Sequence, residues 1–382
     1  MKNDIYLIPL GGANGIGASC YFLKLGKSNI VLDAGVGYNK DLVYGPNLYL
    51  LLKSLFVNSL NEIDKIFISH GHMDHIGFLL NMMKEASKAS VYMTDITRVF
   101  AEYQLYDKNY IIGNSFSTYE ELGIKIGLDR ISTLSYMKPI DFGEYKVTFF
   151  QAGHIPGACM MLFEYGKRKI LYTGDYSISD TPMTRKCYIP DDIEIDTLII
   201  CSVHSKHSNY SKDENVLLDK VYSVFNYINN GHSVCCTIPQ LSKGIEFLKI
   251  LNDMNYKNIP IYIDNSVINV IEKLEKLSIP IFEKNNFIFN QKNIKKPHIL
   301  LTSDKKQSNN MFYKNIRIDF SIHDDFNQIK NFITNINPKY AYVVHYEKEK
   351  SEEDITIEQE ILFNSSCNTQ VIFTEEGMIY NL

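Results

Sequence analysis

The sequence predicts an α/β protein in which one domain, built in two pieces, carries a second α/β module between them. Three observations predict this. Short β-branched or aromatic runs, several ending in Gly or Asp, punctuate the first 200 residues. Helical and strand-like segments then alternate regularly from Lys206 to Asn310. After Asn310 the first texture resumes.

In chain order, "IYLIPLGG", "CYFLKLG", "NIVLDAG" and "KIFISHG" read as strands. Between the last two, "LYLLLKSLFV" (Leu48 to Val57) is apolar but short and broken by Lys53, which predicts a core helix. "HIGFLLNMMKEA" has apolar residues at helical spacing, and Thr94 can cap "DITRVFAEYQLY". "KVTFFQAG" and "KILYTGD" are further strands. In the middle of the chain, helix "KDENVLLDKVYSVFNYINN" leads to strand "SVCCTIP". Helix "SKGIEFLKILNDM" leads to "IPIYID", and "SVINVIEKLEKL" to "IPIF". That alternation predicts a small parallel sheet. Strand-like "NIRIDFSIH", helix-like "DDFNQIKNFITNI", strand "YAYVVH" and "QVIFTEEGMIYNL" close the chain. The predicted pieces are therefore 1–205, an inserted 206–310, and 311–382.

Composition excludes several classes. With 45% hydrophobic and 22% charged residues, the 382-residue chain has the balance of a globular protein. A net charge of −5 gives no sign of wholesale binding to nucleic acid or membrane. The charge is uneven, because residues 206–310 hold 14 lysines against 10 acidic residues and the remainder carries −9. No apolar run approaches the roughly 20 residues of a membrane span, and no leader is visible. The seven scattered cysteines form no CxxC pair and read as reduced, buried thiols. A cytoplasmic protein without membrane contact is the expectation.

The densest chemistry is "SHGHMDHIG", which places His70, His72, Asp74 and His75 within six residues after a strand. Imidazole and carboxylate are the donors of zinc-like ions, and four of them at a strand end can face one point. Further candidates follow other strands: His154 in "FFQAGHIPGA", Asp175 in "ILYTGDYS" and His345 in "AYVVHYE". Seven donors exceed what one ion needs, so the opening cluster reads as half of a two-metal centre. The other histidines read more plainly. His298 belongs to a core strand and His232 to a turn, while His204 and His207 lie near the predicted domain junction within reach of a substrate. "GGANGIG" lies between two strands, so its glycines serve a hairpin rather than a dinucleotide site.

The HxHxDH signature, the later histidine, the aspartate of "TGD" and the last histidine resemble the metallo-β-lactamase superfamily. "GGANGIGASC", "AGHIPGA", "LYTGDYS" and the pair "FSIHDDF" and "YVVHYE" are similar to its β-CASP branch of nucleic-acid-processing nucleases. The resemblance implies an αββα sandwich with an inserted β-CASP-like cap. It implies two Zn²⁺ ions, with Mn²⁺ as an alternative. His70, His72 and His154 would hold one and Asp74, His75 and His345 the other, with Asp175 bridging. Asp74 and His323 are the implied catalytic residues, His323 as proton donor to the leaving oxygen. A histidine rather than valine at His345 implies RNA.

The chain also departs from that pattern. Cys201 stands where the branch carries an acid, a role that Asp324 or His204 could assume. Lys243, a candidate phosphate contact, stands for the customary Arg, and Tyr346 for Gly. Only 122 residues separate Cys201 from His323, a short insertion. The reading is a two-zinc hydrolase cutting single-stranded RNA, alone, as a homo-oligomer or in a processing complex. A hydrolase of small esters or phosphodiesters and a catalytically weak RNA-binding paralogue are the alternatives.

Overall fold

The computed structural model describes residues 5–39, 42–106, 130–203, 216–238, 241–254, 259–281, 297–302, 311–319, 323–346 and 368–382. The chain divides into two compact units. One comprises Met1–Ser179, Arg185–Ser211 and His323–Leu382; the other comprises Asp180–Thr184 and Lys212–Ile322.

The first unit begins with β1 (Ile5–Gly11), β2 (Cys20–Leu25) and β3 (Ser28–Leu32), consecutive antiparallel neighbours. The "GGANGIG" stretch lies between β1 and β2. A small separate hairpin, β4 (Gly37–Asn39) and β5 (Leu42–Tyr44), precedes helix α1 (Tyr49–Lys53). Next come β6 (Lys65–Phe67), helices α2 (Met73–Ile76) and α3 (Leu79–Glu85), β7 (Ser90–Met93), helix α4 (Asp95–Tyr106) and β8 (Ile131–Thr133). Strands β9 (Ile140–Asp141), β10 (Lys146–Gln151), β11 (Cys159–Tyr165), β12 (Arg168–Tyr172) and β13 (Thr197–Cys201) follow.

The second unit holds helix α5 (Val216–Asn229), β14 (Val234–Thr237), helix α6 (Leu241–Asp253), β15 (Ile261–Ile263), helix α7 (Asn265–Lys276), β16 (Ile299–Thr302) and β17 (Lys314–Arg317). The chain then returns with helix α8 (Phe326–Ile336), β18 (Tyr340–Val344), β19 (Gln370–Phe373) and β20 (Tyr380–Asn381).

Two seven-stranded sheets build the first unit, in the orders β20-β1-β2-β3-β6-β7-β8 and β19-β18-β13-β12-β11-β10-β9. Their strands are apolar on both faces, as sheets covered on both sides require. Alternation shows it: Ile5, Leu7, Tyr21, Leu23, Ile30, Leu32 and Phe67 join Val147, Phe149, Met161, Phe163 and Tyr172 in the core between the sheets. The intervening Ile8, Phe22, Val31 and Ile66 pack instead with Leu51, Leu79, Met82 and Leu105 of the helices. On the second sheet's side, α8 buries Phe326, Ile329, Phe332 and Ile333, with the Phe332 ring tilted against that of Tyr176 at 4.5 Å. The result is an αββα sandwich.

The second unit's sheet is wholly parallel, in the order β15-β16-β14-β17. It differs from expectation at its end. "NIRIDF", expected with the sandwich, supplies β17, whose Lys314–Arg317 pair with Val234–Thr237. The unit therefore runs to Ile322 rather than 310. Residues 279–281 of "IPIF" are not in a strand. The helix expected over "HIGFLLNMMKEA" is divided into α2 and α3, because the carbonyls of α2 serve neighbouring loops: Asp74 O accepts from Ser19, His75 O from Ala34 and Met73 O from Val36. Among the described residues, no helix is long and apolar enough to cross a membrane.

Candidate metal centre

Each donor leaves its sheet at the end of a strand. His70 lies three residues past β6, His72 precedes α2, and Asp74 and His75 ride on that helix. His154 follows β10, Asp175 follows β12 and His345 follows β18. Glycine makes the approach of Asp175 possible. Gly174 has φ +52°, and a Cβ there would lie 2.5 Å from Ser69 Cβ, against the segment that carries His70. His345 itself has φ 54°, held by its N–H donating to Gly12 O at 2.7 Å.

The structure gathers these residues into two groups, His70, His72, His154 and Asp175, and Asp74, His75 and His345. Within each group the donor atoms lie within 4.8 Å of one another. Asp175 touches both. Its Oδ2 is 3.8 Å from His70 Nε2 and 3.6 Å from His154 Nε2, while its Oδ1 is 3.4 Å from His75 Nε2. His72 Nδ1 is 3.1 Å from His154 Nε2, and Asp74 Oδ2 is 3.6 Å from His345 Nε2. Donors on one zinc at about 2.0–2.1 Å stand roughly 3.3–3.4 Å apart, and the within-group separations above, 3.1 to 3.8 Å, lie close to that.

A second test is satisfaction. His70 Nε2, His75 Nε2, His345 Nε2 and both Asp175 oxygens are buried without a hydrogen-bond partner. Leaving so many polar atoms unpaired is costly unless a cation completes them. The donors therefore fit a metal.

The outer imidazole nitrogens explain why the inner ones are bare. Asp33 Oδ2 accepts from His75 Nδ1 at 2.7 Å, Ser69 Oγ at 2.7 Å and Tyr172 OH at 2.5 Å; its Oδ1 accepts from Ser69 N at 2.6 Å. Ser69 Oγ, having donated to Asp33, accepts from His70 Nδ1 at 3.0 Å. Ser19 Oγ sits 2.6 Å from His345 Nδ1. These contacts hold the His70 and His75 rings by Nδ1, so that Nε2 is the atom turned toward the other donors. Sequence reasoning missed Asp33, Ser69, Ser19 and Tyr172; the one local signal was that "NIVLDAG" ends in an aspartate where a loop begins.

Electrostatics sorts the histidines. Burial holds His70, His154 and His345 below the usual imidazole value, His70 and His154 well below, so these rings are neutral. Burial would do the same to His75, but the carboxylates of Asp175 and Asp33 outweigh it and hold its pKa well above the ordinary value. Burial likewise opposes ionisation of Asp175, yet His75, His345 and His323 keep it well below the carboxylate range.

His323 joins the group. Its Nδ1 lies 3.7 Å from Asp175 Oδ2 and its ring 4.9 Å from that of His154. Next to it, the buried carboxylate of Asp324 accepts from Ile178 N at 2.9 Å and Ser177 Oγ at 3.4 Å, tying this loop to the one after Asp175. Cys201 is buried at the end of β13, its thiol donating to Tyr172 OH at 3.7 Å. Burial, then Asp175 and Asp33, push that thiol well above its usual pKa, so it supplies no charge. Tyr346 is buried against Phe373, with its hydroxyl donating to Thr374 O at 2.8 Å. Lys243 lies on α6 in the second unit, its ammonium 2.6 Å from Asp319 Oδ1. His298 is buried between Ser233 Oγ and Tyr313 OH, a structural role. His204 and His207 lie outside the described residues.

Comparison with known proteins agrees with this geometry. Residues 13–199 match the model of the metallo-β-lactamase superfamily, and residues 313–353 that of the Zn-dependent metallo-hydrolase RNA specificity domain. A probable RNase MJ4 of Methanocaldococcus jannaschii is 31% identical over 272 residues, covering 69% of this chain and 60% of the relative. Endoribonuclease ysh1 of Schizosaccharomyces pombe is 30% identical over 273 residues, covering 68% and 34%. The chain thus spans between a third and three fifths of these relatives' lengths. In fold, a protein of unknown function from Enterococcus faecalis V583 superposes with a TM-score of 0.62 at 12% identity, over 99% of this chain and 100% of that one. From the paired donor groups, the sandwich and these matches together, the chain belongs to the metallo-β-lactamase superfamily, in its β-CASP branch.

Proposed function

We propose that the chain is a two-zinc phosphodiesterase that hydrolyses single-stranded RNA. His70, His72 and His154 would hold one ion and Asp74, His75 and His345 the other, with Mn²⁺ able to substitute. The observation that carries this reading is the division of Asp175, one oxygen turned to each donor group. Two ions so held would supply Lewis acidity at the phosphate and a nucleophile from water at neutral pH.

The chain's own residues do the rest. His323 is part-exposed, whereas the other five histidines gathered here are buried, so it can meet the substrate. With its ring beside Asp175, His323 would pass a proton to the leaving oxygen as the P–O bond breaks. Asp74, also part-exposed, orients the attacking water. RNA is favoured by the RNA specificity model over 313–353 and by relatives named as ribonucleases. Lys243 would add a phosphate contact while remaining paired with Asp319. The short insertion favours one other reading, a hydrolase of small phosphodiesters.

End-labelled single-stranded RNA incubated with and without Zn²⁺ or Mn²⁺ tests the proposal. Metal-dependent cleavage is expected, and His323→Ala should slow it by about 10²–10⁴-fold while metal content stays at two per chain. Turnover of a chromogenic phosphodiester with no action on RNA would favour the small-substrate reading. Fewer than one ion per chain after zinc loading would overturn both.

A further inference from the structure

The hairpin β4–β5 does not belong to either large sheet, and its surface is unusual for so small an element. Its register sets Gly37 opposite Tyr44, Tyr38 opposite Val43 and Asn39 opposite Leu42, so Leu42 and Tyr44 share one face and Tyr38 lies on the other. Both faces reach solvent: Tyr38 and Leu42 are each 52% exposed, and Tyr44 39%. Ile16, 42% exposed, stands next to Gly17, whose added Cβ would lie 2.8 Å from Gly37 Cα. Exposed apolar surface gathered on one element marks a binding site more often than a structural need.

The hairpin's root is bonded to the helix that carries the metal donors. Ala34 N donates to His75 O and Val36 N to Met73 O. Tyr38 follows Val36 by two residues, a reach of at most about 7 Å. A nucleotide whose phosphate lies at Asp74 and His75 therefore has its base within range of the hairpin. Tyr44 is also held ready. A Cβ on Gly37 would lie 2.2 Å from its ring, so the ring rests on bare backbone while the residue stays 39% exposed. Ring faces held in place stack on nucleobases with little loss of side-chain freedom.

We infer that β4–β5 is a base-stacking element of the single strand cut at the adjacent donor cluster, in which Tyr38 on one face and Tyr44, beside Leu42, on the other each take a nucleobase. The inference rests on the RNA reading above and adds its binding subsite. It makes the ring, not the hydroxyl, the functional part of each tyrosine.

The test compares wild type, Tyr38→Ala, Tyr44→Ala and the corresponding Phe variants in the full chain. Anisotropy of a fluorescent single-stranded 12-nucleotide RNA at 4 °C, with the oligonucleotide checked as intact, gives affinity. Turnover of bis(p-nitrophenyl) phosphate reports the metal centre separately. Each Ala variant should weaken RNA binding about five- to hundred-fold. Each Phe variant should bind like wild type, and turnover of the small substrate should not change in any of them. Ala variants that bind RNA as tightly as wild type would overturn the stacking role and leave the RNA reading standing; a surface serving a protein partner would give that result. Wild type that neither binds nor cuts RNA would overturn both.

Discussion

At the scale of single residues, Asp33 and His75 decide how the centre takes up metal. In the metal-free chain the two carboxylates on either side of His75 keep it protonated at neutral pH, while His70, His154 and His345 are already neutral. A cation at His75 Nε2 must displace that proton. Zinc binding near pH 7 is therefore expected to release about one proton per chain from this residue, and the release should fall away as pH rises past the raised pKa. Calorimetric titrations in buffers of different ionisation enthalpy measure it; uptake without proton release would mean that His75 is neutral. Replacing Asp33 by Asn keeps the shape but removes the charge that orients His75 and, through Ser69, His70. Competition with a zinc chelator should show affinity reduced about 10–100-fold.

At the scale of elements, α2 is only four residues long and is fixed by its neighbours rather than by its own helical bonds. The closest of these neighbours is Gly35, where an added Cβ would meet Asp74 O at 1.7 Å. Gly35→Ala is expected to push α2 away from the loop, costing about 1–3 kcal/mol. It should weaken zinc binding by the Asp74, His75 and His345 group more than by the other. Thermal unfolding with and without zinc checks it: a variant that zinc stabilises as much as wild type would show that α2 adapts freely. The cap of α4 bears on the site only through the loop after His154, where Thr94 Oγ1 donates to Gly157 O at 2.7 Å. Thr94 Oγ1 accepts from Thr97 N at 3.1 Å, and Thr97 Oγ1 in turn donates to Gly157 O. Thr94→Ala should cost about 1 kcal/mol without changing metal content.

At the scale of the whole molecule, the last sixty residues complete what the first 201 begin. Strand β18 lies between β13 and β19 in the second sheet, and β20 closes the edge of the first against β1. His345 leaves the end of β18, so the second donor group cannot form without it. A chain ending at residue 310 is expected to lose the sandwich as well as the metal, read by circular dichroism and elemental analysis. A folded fragment carrying two zinc ions would refute that dependence. The same cut would also remove β17 from the second unit's sheet.

Much of this was legible in the sequence, for a physical reason. Strand periodicity, the hairpin glycines of "GGANGIG" and the donor-rich ends of β6, β10, β12 and β18 are local properties, written in adjacent residues. They determined the sandwich strands and singled out the seven candidate donors that the structure gathers into two groups. Tertiary structure alone decided what depends on residues distant in sequence. Ser19 meets His345 across 326 positions, and Tyr172 meets Asp33 across 139; neither contact has a local signature. Those contacts hold the His345 ring by Nδ1 and the Asp33 carboxylate that orients His75. The strand at Lys314–Arg317 makes the same point, because its composition suited either sheet and only pairing with β14 assigned it. Asp175 shows both levels: its place after a strand is local, but the turning of one oxygen to each donor group exists only once four strand ends converge.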